Sequence, residues 1–431
     1  MMSADKQRLV SKRISDDTVG YHNQIKPEIQ REEAKIGINN DYNPKWTTKP
    51  FSKEGKMPRI QRLILTIFYF LFISFSAFAQ EGQIVRETID APSLRENLFG
   101  DSSKRQITVY LPPSYDAEKN RTYPVVYLLH GYFGNNNLWM GGGYIAGANI
   151  QNSMASWIES EKLKDMILVM PNSHNKFNGS WYSNSSATGR WGDYISKEVV
   201  NYIDSNYRTL PQPQSRGVIG HSMGGYGGMK IGMLYPEVFS CMGSLSGFLC
   251  PNLSFADFDP ESSAFLKDNV KDWADYYSLH WKDQLKFAMW AAFCPNPKNP
   301  PFFCDFPYIY DENDQVVKNP DAFKSYMESD IRQMVDKYTN VLKDMRAIYI
   351  DCGTSDDLIV HARDIREKLN KLGIKHVYNE FNGGHTCCVM TSTGEALEVF
   401  SKAMEFDMLT DLTDVESIGK LAVEWGFIKS N

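Results

Sequence analysis

The chain has 431 residues, 42% of them hydrophobic and 23% charged, which suffices for one large core with extensions or for two domains. A formal net charge of −6 gives no basic footprint, so no nucleic-acid partner is expected. The seven cysteines show no C-x-x-C spacing, so neither a structural metal nor a cofactor is expected.

Residues 1–56 are polar and charged, without periodic hydrophobicity, and read as a disordered extension. The composition then changes abruptly. Met57-Pro58-Arg59-Ile60-Gln61-Arg62 is basic, Leu63 to Phe75 is almost wholly apolar, and Ala77-Phe78-Ala79 precedes Gln80. That is the layout of a secretory signal peptide over residues 57–79. Its internal position suggests that translation starts at Met57 and that the first 56 residues belong to an over-long gene model. The alternative is an uncleaved anchor, with a membrane association through residues 63–79 and the basic flank on the cytoplasmic side. Either reading places the remainder outside the cytoplasm, secreted or periplasmic.

Residues 80–431 carry the pattern of one folded catalytic domain. Arg105 to Leu111 alternates as a half-buried strand should, and Pro112-Pro113 ends it. Tyr123 to Leu129 and Met166 to Met170 are continuous apolar runs, as in central parallel strands covered on both faces. Gly217 to Gly220 is a shorter strand, Arg346 to Ile350 another, and Lys375 to Phe381 alternates again. Helical patterns separate them: Ile195, Val199, Tyr202 and Ile203 share a face, Gly225 to Tyr235 is rich in small residues, and Ile359 to Leu372 stops at Gly373. Strands alternating with helices predict an α/β class with a mostly parallel sheet. The segment 249–345 shows no obvious strand and reads as a cap-like insertion between two sheet strands.

Gly220-His221-Ser222-Met223-Gly224-Gly225 matches G-x-S-x-G. The motif places a serine on a strained strand-to-helix turn, and its glycines remove Cβ atoms that would collide there. Here an apolar strand enters the turn and a glycine-rich helix leaves it, so Ser222 is the candidate nucleophile. His130-Gly131-Tyr132 closes the strand Val125 to Leu129, where such a fold takes one oxyanion donor; the backbone N–H groups of Tyr132 and Met223 are assigned that role. His130 itself precedes the serine in the chain and reads as loop-shaping. Three aspartates compete for the acid, Asp351, Asp356 and Asp357, and Asp356 on the turn after Gly353 is preferred. The base is His385 on the Gly383-Gly384 loop, which follows the last strand and completes the order serine, acid, histidine.

With these residues in view, the chain resembles the esterase D-like "Putative esterase" group of α/β-hydrolases. That group includes S-formylglutathione hydrolases, feruloyl and acetylxylan esterases of carbohydrate esterase family 1, siderophore esterases and mycolyltransferases. The likeness rests on Arg105 with Tyr110-Leu111-Pro112-Pro113-Ser114-Tyr115, on Tyr127-Leu128-Leu129-His130-Gly131, on the Ser222 turn, on Gly353-Thr354-Ser355-Asp356 and on Gly383-Gly384-His385. It implies an α/β-hydrolase fold and acyl transfer through Ser222, Asp356 and His385. The motifs are specific for reaction type and not for substrate.

Substrate contacts are expected from Trp181 and Tyr182, which could stack on an aryl or sugar ring or equally pack in the core, from His174, and from Trp139. An aromatic content of 13% suits such a cleft, although ordinary core packing accounts for it as well. Secretion and aromatic richness together favour a carbohydrate-linked ester, acetyl or feruloyl. Siderophore or small lipid esters are the alternative, as is acyl transfer of the mycolyltransferase type; a binding module without catalysis ranks last. In an oxidising compartment Cys294 could pair with Cys304, and Cys241 with Cys250, whereas adjacency makes a Cys387–Cys388 bridge sterically awkward. The competing reading leaves most cysteines as small buried hydrophobes.

Overall fold

The computed structural model describes residues 81–250 and 260–406. The expected disordered extension 1–56 and signal peptide 57–79 lie outside the described residues, as do residues 251–259 of the 249–345 insertion.

The architecture is an eight-stranded sheet flanked by helices. Its strands are β1 Gln83–Asp90, β2 Lys104–Leu111, β3 Val125–Leu129, β4 Ile167–Pro171, β5 Arg216–His221, β6 Cys241–Leu245, β7 Ala347–Gly353 and β8 Val377–Phe381. They lie in the order β1-β2-β4-β3-β5-β6-β7-β8. β2 runs antiparallel to both of its neighbours, and every pairing from β4 across to β8 is parallel. This is the α/β-hydrolase fold. β3, β4 and β5 are buried along their whole length, because helices cover both sheet faces and each residue of a strand must find apolar company on one face or the other.

The main helices are α1 Ile150–Glu159, α2 Val200–Asn206, α3 Met223–Leu234, α4 Pro260–Asn269, α5 Trp273–Ser278, α6 Trp281–Phe293, α7 Pro320–Glu328, α8 Ile331–Lys337, α9 Thr339–Asp344, α10 Ile359–Lys371 and α11 Val389–Ala403. A π-helical stretch, Tyr194–Val199, leads into α2. α3 lies unusually close to the sheet. A Cβ at Gly228 would sit 2.3 Å from the Gly243 carbonyl oxygen, so only glycine permits the approach.

Two strands escaped the sequence reading. β1 is an edge strand, exposed along much of one side, and β6 (Cys-Met-Gly-Ser-Leu) is short and built of small residues. The insertion also contains a small antiparallel pair, Tyr308–Tyr310 with Val316–Lys318. Its helices hold together through an aromatic cluster: Phe287 lies within 4.7 Å of Phe302 and 5.2 Å of Trp290, centroid to centroid. The cluster reaches the catalytic domain proper at Phe177, whose ring lies 5.3 Å from Trp273 and 5.6 Å from Tyr276.

Most of the cysteines follow the reading as small buried hydrophobes, and neither Cys294–Cys304 nor Cys241–Cys250 pairs. Cys241, Cys250, Cys294 and Cys304 are all free and buried. Cys294 donates its thiol to the Ala322 carbonyl instead of bridging to Cys304. The disulfide is between the adjacent Cys387 and Cys388, just after the His385 loop.

Candidate active site

The site sits where the C-terminal ends of β5, β7 and β8 meet. β5 delivers Ser222 at φ 59° and ψ −116°, a left-handed conformation that a non-glycine residue adopts only under strain. Two glycines make the turn feasible. A Cβ on Gly220 would lie 2.3 Å from the Leu129 carbonyl oxygen and one on Gly224 would lie 1.9 Å from it. The turn is tied down by Ser222 N–H donating to the Leu245 carbonyl at 2.9 Å and by Phe248 N–H donating to the Ser222 carbonyl at 3.2 Å.

Asp356 comes from the turn after β7 and His385 from the glycine loop after β8. The His385 Nδ1–H donates to Asp356 Oδ2 at 2.8 Å, and the Ser222 hydroxyl donates to His385 Nε2 at 2.9 Å. The carboxylate accepts at Nδ1, so that nitrogen carries the hydrogen and Nε2 is left as acceptor. Burial works to raise the Asp356 carboxyl, but the His385 hydrogen bond and charge and the Leu358 N–H outweigh it and hold the group below the usual carboxylate range. Its second oxygen accepts that Leu358 N–H at 2.9 Å. The rival aspartates stand elsewhere. Asp357 is exposed. Asp351 is buried under Ser246 and Tyr349, and burial pushes its carboxyl up to about 7.

The backbone N–H groups of Tyr132 and Met223 have no acceptor among the described residues. They come from loops in contact: a Cβ at Gly131 would meet the Ser222 Cβ at 3.1 Å, and one at Gly179 would meet Met223 Sδ at 2.5 Å and Tyr132 Cδ2 at 2.8 Å. Met223 also opens α3, whose N-terminus adds a positive dipole end.

Around this constellation the structure places groups that the motif reading passed over. His221, inside the elbow, donates from Nε2 to the His385 carbonyl at 2.8 Å and accepts at Nδ1 from the Tyr144 hydroxyl at 3.1 Å. Burial holds its imidazole down to about 3, so it stays neutral and keeps this tautomer. Its fixed place next to the serine was the available signal. Tyr144 had none, because its contact spans 77 residues of sequence. His130, read from the sequence as loop-shaping, is buried as well, and burial holds its ring down to about 3; Nδ1–H donates to the Gly131 carbonyl and Nε2 accepts the Ser173 N–H, which ties the loop that carries Tyr132.

Three expected substrate contacts are corrected. Trp139 is fully buried and its Nε1–H donates to Thr393. Trp181, 1% exposed, packs edge-on against Tyr226, Phe248 and Phe293. Tyr182 is fully buried, its hydroxyl donating to the His130 carbonyl at 2.8 Å. Consecutive positive φ values of 52° and 48° at Trp181 and Tyr182 go with this inward placement, a backbone feature invisible to residue type. His174 is half-buried and lines a surface cavity next to the oxyanion loop.

Comparison with known proteins decides the family. The family described as "Putative esterase" matches residues 102–388, which hold Ser222, Asp356 and His385. The chain belongs to this esterase family. Among curated members, Esterase Rv1288 of Mycobacterium tuberculosis is 26% identical over 298 residues, 65% of this chain and 52% of that protein. The acetyl esterase of Caldicellulosiruptor saccharolyticus is 24% identical over 275 residues, 63% of this chain and 79% of that protein. The chain spans about half the length of the first curated relatives it matches, 52% in each case. A solved ferulic acid esterase superposes with a TM-score of 0.53 at 20% identity, covering 75% of this chain and 99% of its own, and shares the fold. The resemblance to this esterase family, read from the Ser222, Asp356 and His385 motifs, therefore holds.

Proposed function

We propose that this esterase is a serine carboxylesterase working through an acyl-enzyme. The observation that carries the proposal is the unbroken chain Ser222 Oγ–His385 Nε2 and His385 Nδ1–Asp356 Oδ2, at 2.9 and 2.8 Å. His385 accepts the Ser222 proton as Oγ attacks the ester carbonyl carbon. The N–H groups of Tyr132 and Met223 stabilise the resulting oxyanion, and His385 returns the proton to the leaving alcohol. A water deprotonated by His385 then attacks the acyl carbon; the acyl–Oγ bond breaks as His385 returns that proton to Ser222 Oγ, and the acid is released. Asp356 stays ionised throughout and stabilises the imidazolium.

The substrate class we favour is an acetyl or feruloyl ester on a polysaccharide. Support comes from the acetyl esterase among the relatives and from the signal-peptide layout of residues 57–79, which favours a secreted or periplasmic protein. Among the described residues no helix is long and apolar enough to cross a membrane. Acyl transfer to an alcohol acceptor is the second reading, favoured by the 25% identity over 135 residues to a diacylglycerol acyltransferase/mycolyltransferase of Mycobacterium leprae. Ser222→Ala tests the chemistry: hydrolysis of p-nitrophenyl acetate should fall by roughly 10⁵–10⁶, and a variant as active as wild type would overturn the assignment. Adding trehalose or glycerol and measuring transfer product by mass spectrometry separates hydrolysis from acyl transfer.

A further inference from the structure

Beside the oxyanion loop lies a cavity of about 490 Å³ whose wall includes Asp101, Phe133, Asn135, Asn172, Asn175 and Tyr277. The three asparagines share one arrangement. Asn135 Oδ1 accepts the Asn137 N–H, Asn172 Oδ1 accepts the His174 N–H and an Arg105 guanidinium N–H, and Asn175 Oδ1 accepts the N–H groups of Phe177 and Gly179. Every one of those partners is a donor, so each amide must present its oxygen there, and the orientation of all three is settled. Each Nδ2 is left without a protein partner among the described residues. That of Asn175 is buried, in a residue only 4% exposed. An unmatched buried donor such as the Asn175 amide costs about 1–3 kcal/mol, and with the half-buried Asn135 and Asn172 amides on the same wall it points to a ligand rich in acceptor oxygens.

The charges argue against a bare anion. The Arg105 guanidinium is spent on the Asn172 and His174 carbonyls and stacks on Trp191. The Lys176 ammonium lies 4.9 Å from the Trp273 ring centroid and 5.7 Å from that of Tyr277. Asp101 adds a negative carboxyl to the same wall. Phe133 and Tyr277 are 47% and 55% exposed, two aromatic faces at the cavity with room for an apolar ring face. Amide donors, a carboxylate acceptor and open aromatic rings together fit a neutral glycosyl unit, whose hydroxyls accept and donate at the edge while its C–H face stacks.

The cavity is joined to the reacting centre. Phe133 follows the oxyanion residue Tyr132, and its N–H donates to the Asn178 carbonyl at 3.0 Å, tying the two loops that bound both features. We propose that this cavity is the subsite that holds the sugar portion of the ester substrate, with Asn135, Asn172 and Asn175 as hydrogen-bond donors and Tyr277 as stacking platform. The proposal rests on the esterase reading for the word substrate, and its test separates the two.

The full chain carrying Ser222→Ala is titrated with unesterified xylotetraose and with a uronosyl-substituted xylotetraose, followed by calorimetry. The neutral oligosaccharide should bind at least as well as the acidic one. Asn135→Asp keeps the Oδ1 acceptor for Asn137 and removes only the donor; it and Tyr277→Ala should each weaken binding by about tenfold. In the Ser222 background, the ratio of kcat/KM on acetylated xylotetraose to that on p-nitrophenyl acetate should fall by a similar factor in both variants. Failure of xylotetraose to bind, binding unaltered by both substitutions, or a clear preference for the uronosyl form overturns the subsite. A wild-type protein inert toward p-nitrophenyl acetate but still binding xylotetraose through these residues would sink the esterase reading and leave the subsite standing.

Discussion

The elbow around Ser222 and the insertion after Leu249 are built on opposite principles. At the elbow the backbone itself leaves no room: Gly220, Gly224 and Gly228 each have a backbone carbonyl oxygen within 2.3 Å of where a Cβ would be. In the insertion, Trp273, Tyr276, Phe287, Trp290 and Phe302 pack ring on ring at centroid separations of 4.7–6.0 Å. Apolar side chains of similar volume could replace many of these rings, but nothing larger than hydrogen replaces the glycines. The contrast teaches that the Ser222 turn admits no change at its glycines, while the ring packing that reaches the cavity rim through Tyr277 tolerates replacement by side chains of comparable volume.

Gly224→Ala should give the largest effect. Its Cβ would meet backbone atoms that cannot rotate away, and a loss of at least ~4 kcal/mol, read by thermal denaturation, is expected. Gly147→Ala is the control, with φ +68° and nothing within 4 Å; it should cost only about 1–2 kcal/mol. Equal effects would break the comparison.

Asp356→Asn comes next. The amide can no longer hold the Nδ1–H tautomer of His385, and kcat on p-nitrophenyl acetate should fall by ~10⁴ with little change in melting temperature. A loss below tenfold would point to another acid.

Lys230 sharpens the boundary between the two regions. It lies on α3, its Nζ donates to Ser183 and Tyr226, and it sits 5.1 Å from the Phe293 ring of the insertion. Burial pushes its ammonium down to about 7 from 10.5. The folded value lies below the unfolded one, so the unfolded chain binds more protons between them and stability rises with pH across that window. The full cost of the buried charge falls at and below the folded value. Lys230→Met should therefore melt higher than wild type by roughly 5 °C near pH 6.5, with the gain shrinking towards pH 9.5. A gain that does not change with pH would assign the effect to packing alone.

The smallest effect is expected at the elbow again. Tyr144→Phe removes the donor to His221 Nδ1, loosening the ring that holds the His385 carbonyl. A drop of about threefold to tenfold in kcat with KM unchanged is expected from steady-state kinetics. A change in KM alone would place Tyr144 outside the positioning of the base.

Much of the site was legible because its constraints are local. Ser222 needs glycines at fixed offsets, Asp356 needs a turn after a strand, and His385 needs a flexible loop at the next strand end. The central strands were legible for a related reason: burial on both faces leaves continuous apolar runs. β6 was not, since Gly243 and Ser244 meet the sheet through close approach and not through bulk. Trp181 and Tyr182 stayed undecided between stacking and core packing for the converse reason, because residue type allows both while left-handed backbone angles accompany the rings that the structure packs into the core.

The sequence by itself picked out Ser222, Asp356 and His385, which the structure brings together, and the α/β-hydrolase architecture, because each depends on short-range backbone geometry or on simple burial. Only the tertiary structure decided which aromatic rings remain open, that His221 and Tyr144 contact the His385 loop, and that Asn135 from one loop and Asn172 and Asn175 from another line one wall. Those facts depend on contacts between distant segments, and no local pattern records which side of a side chain will be left facing empty space.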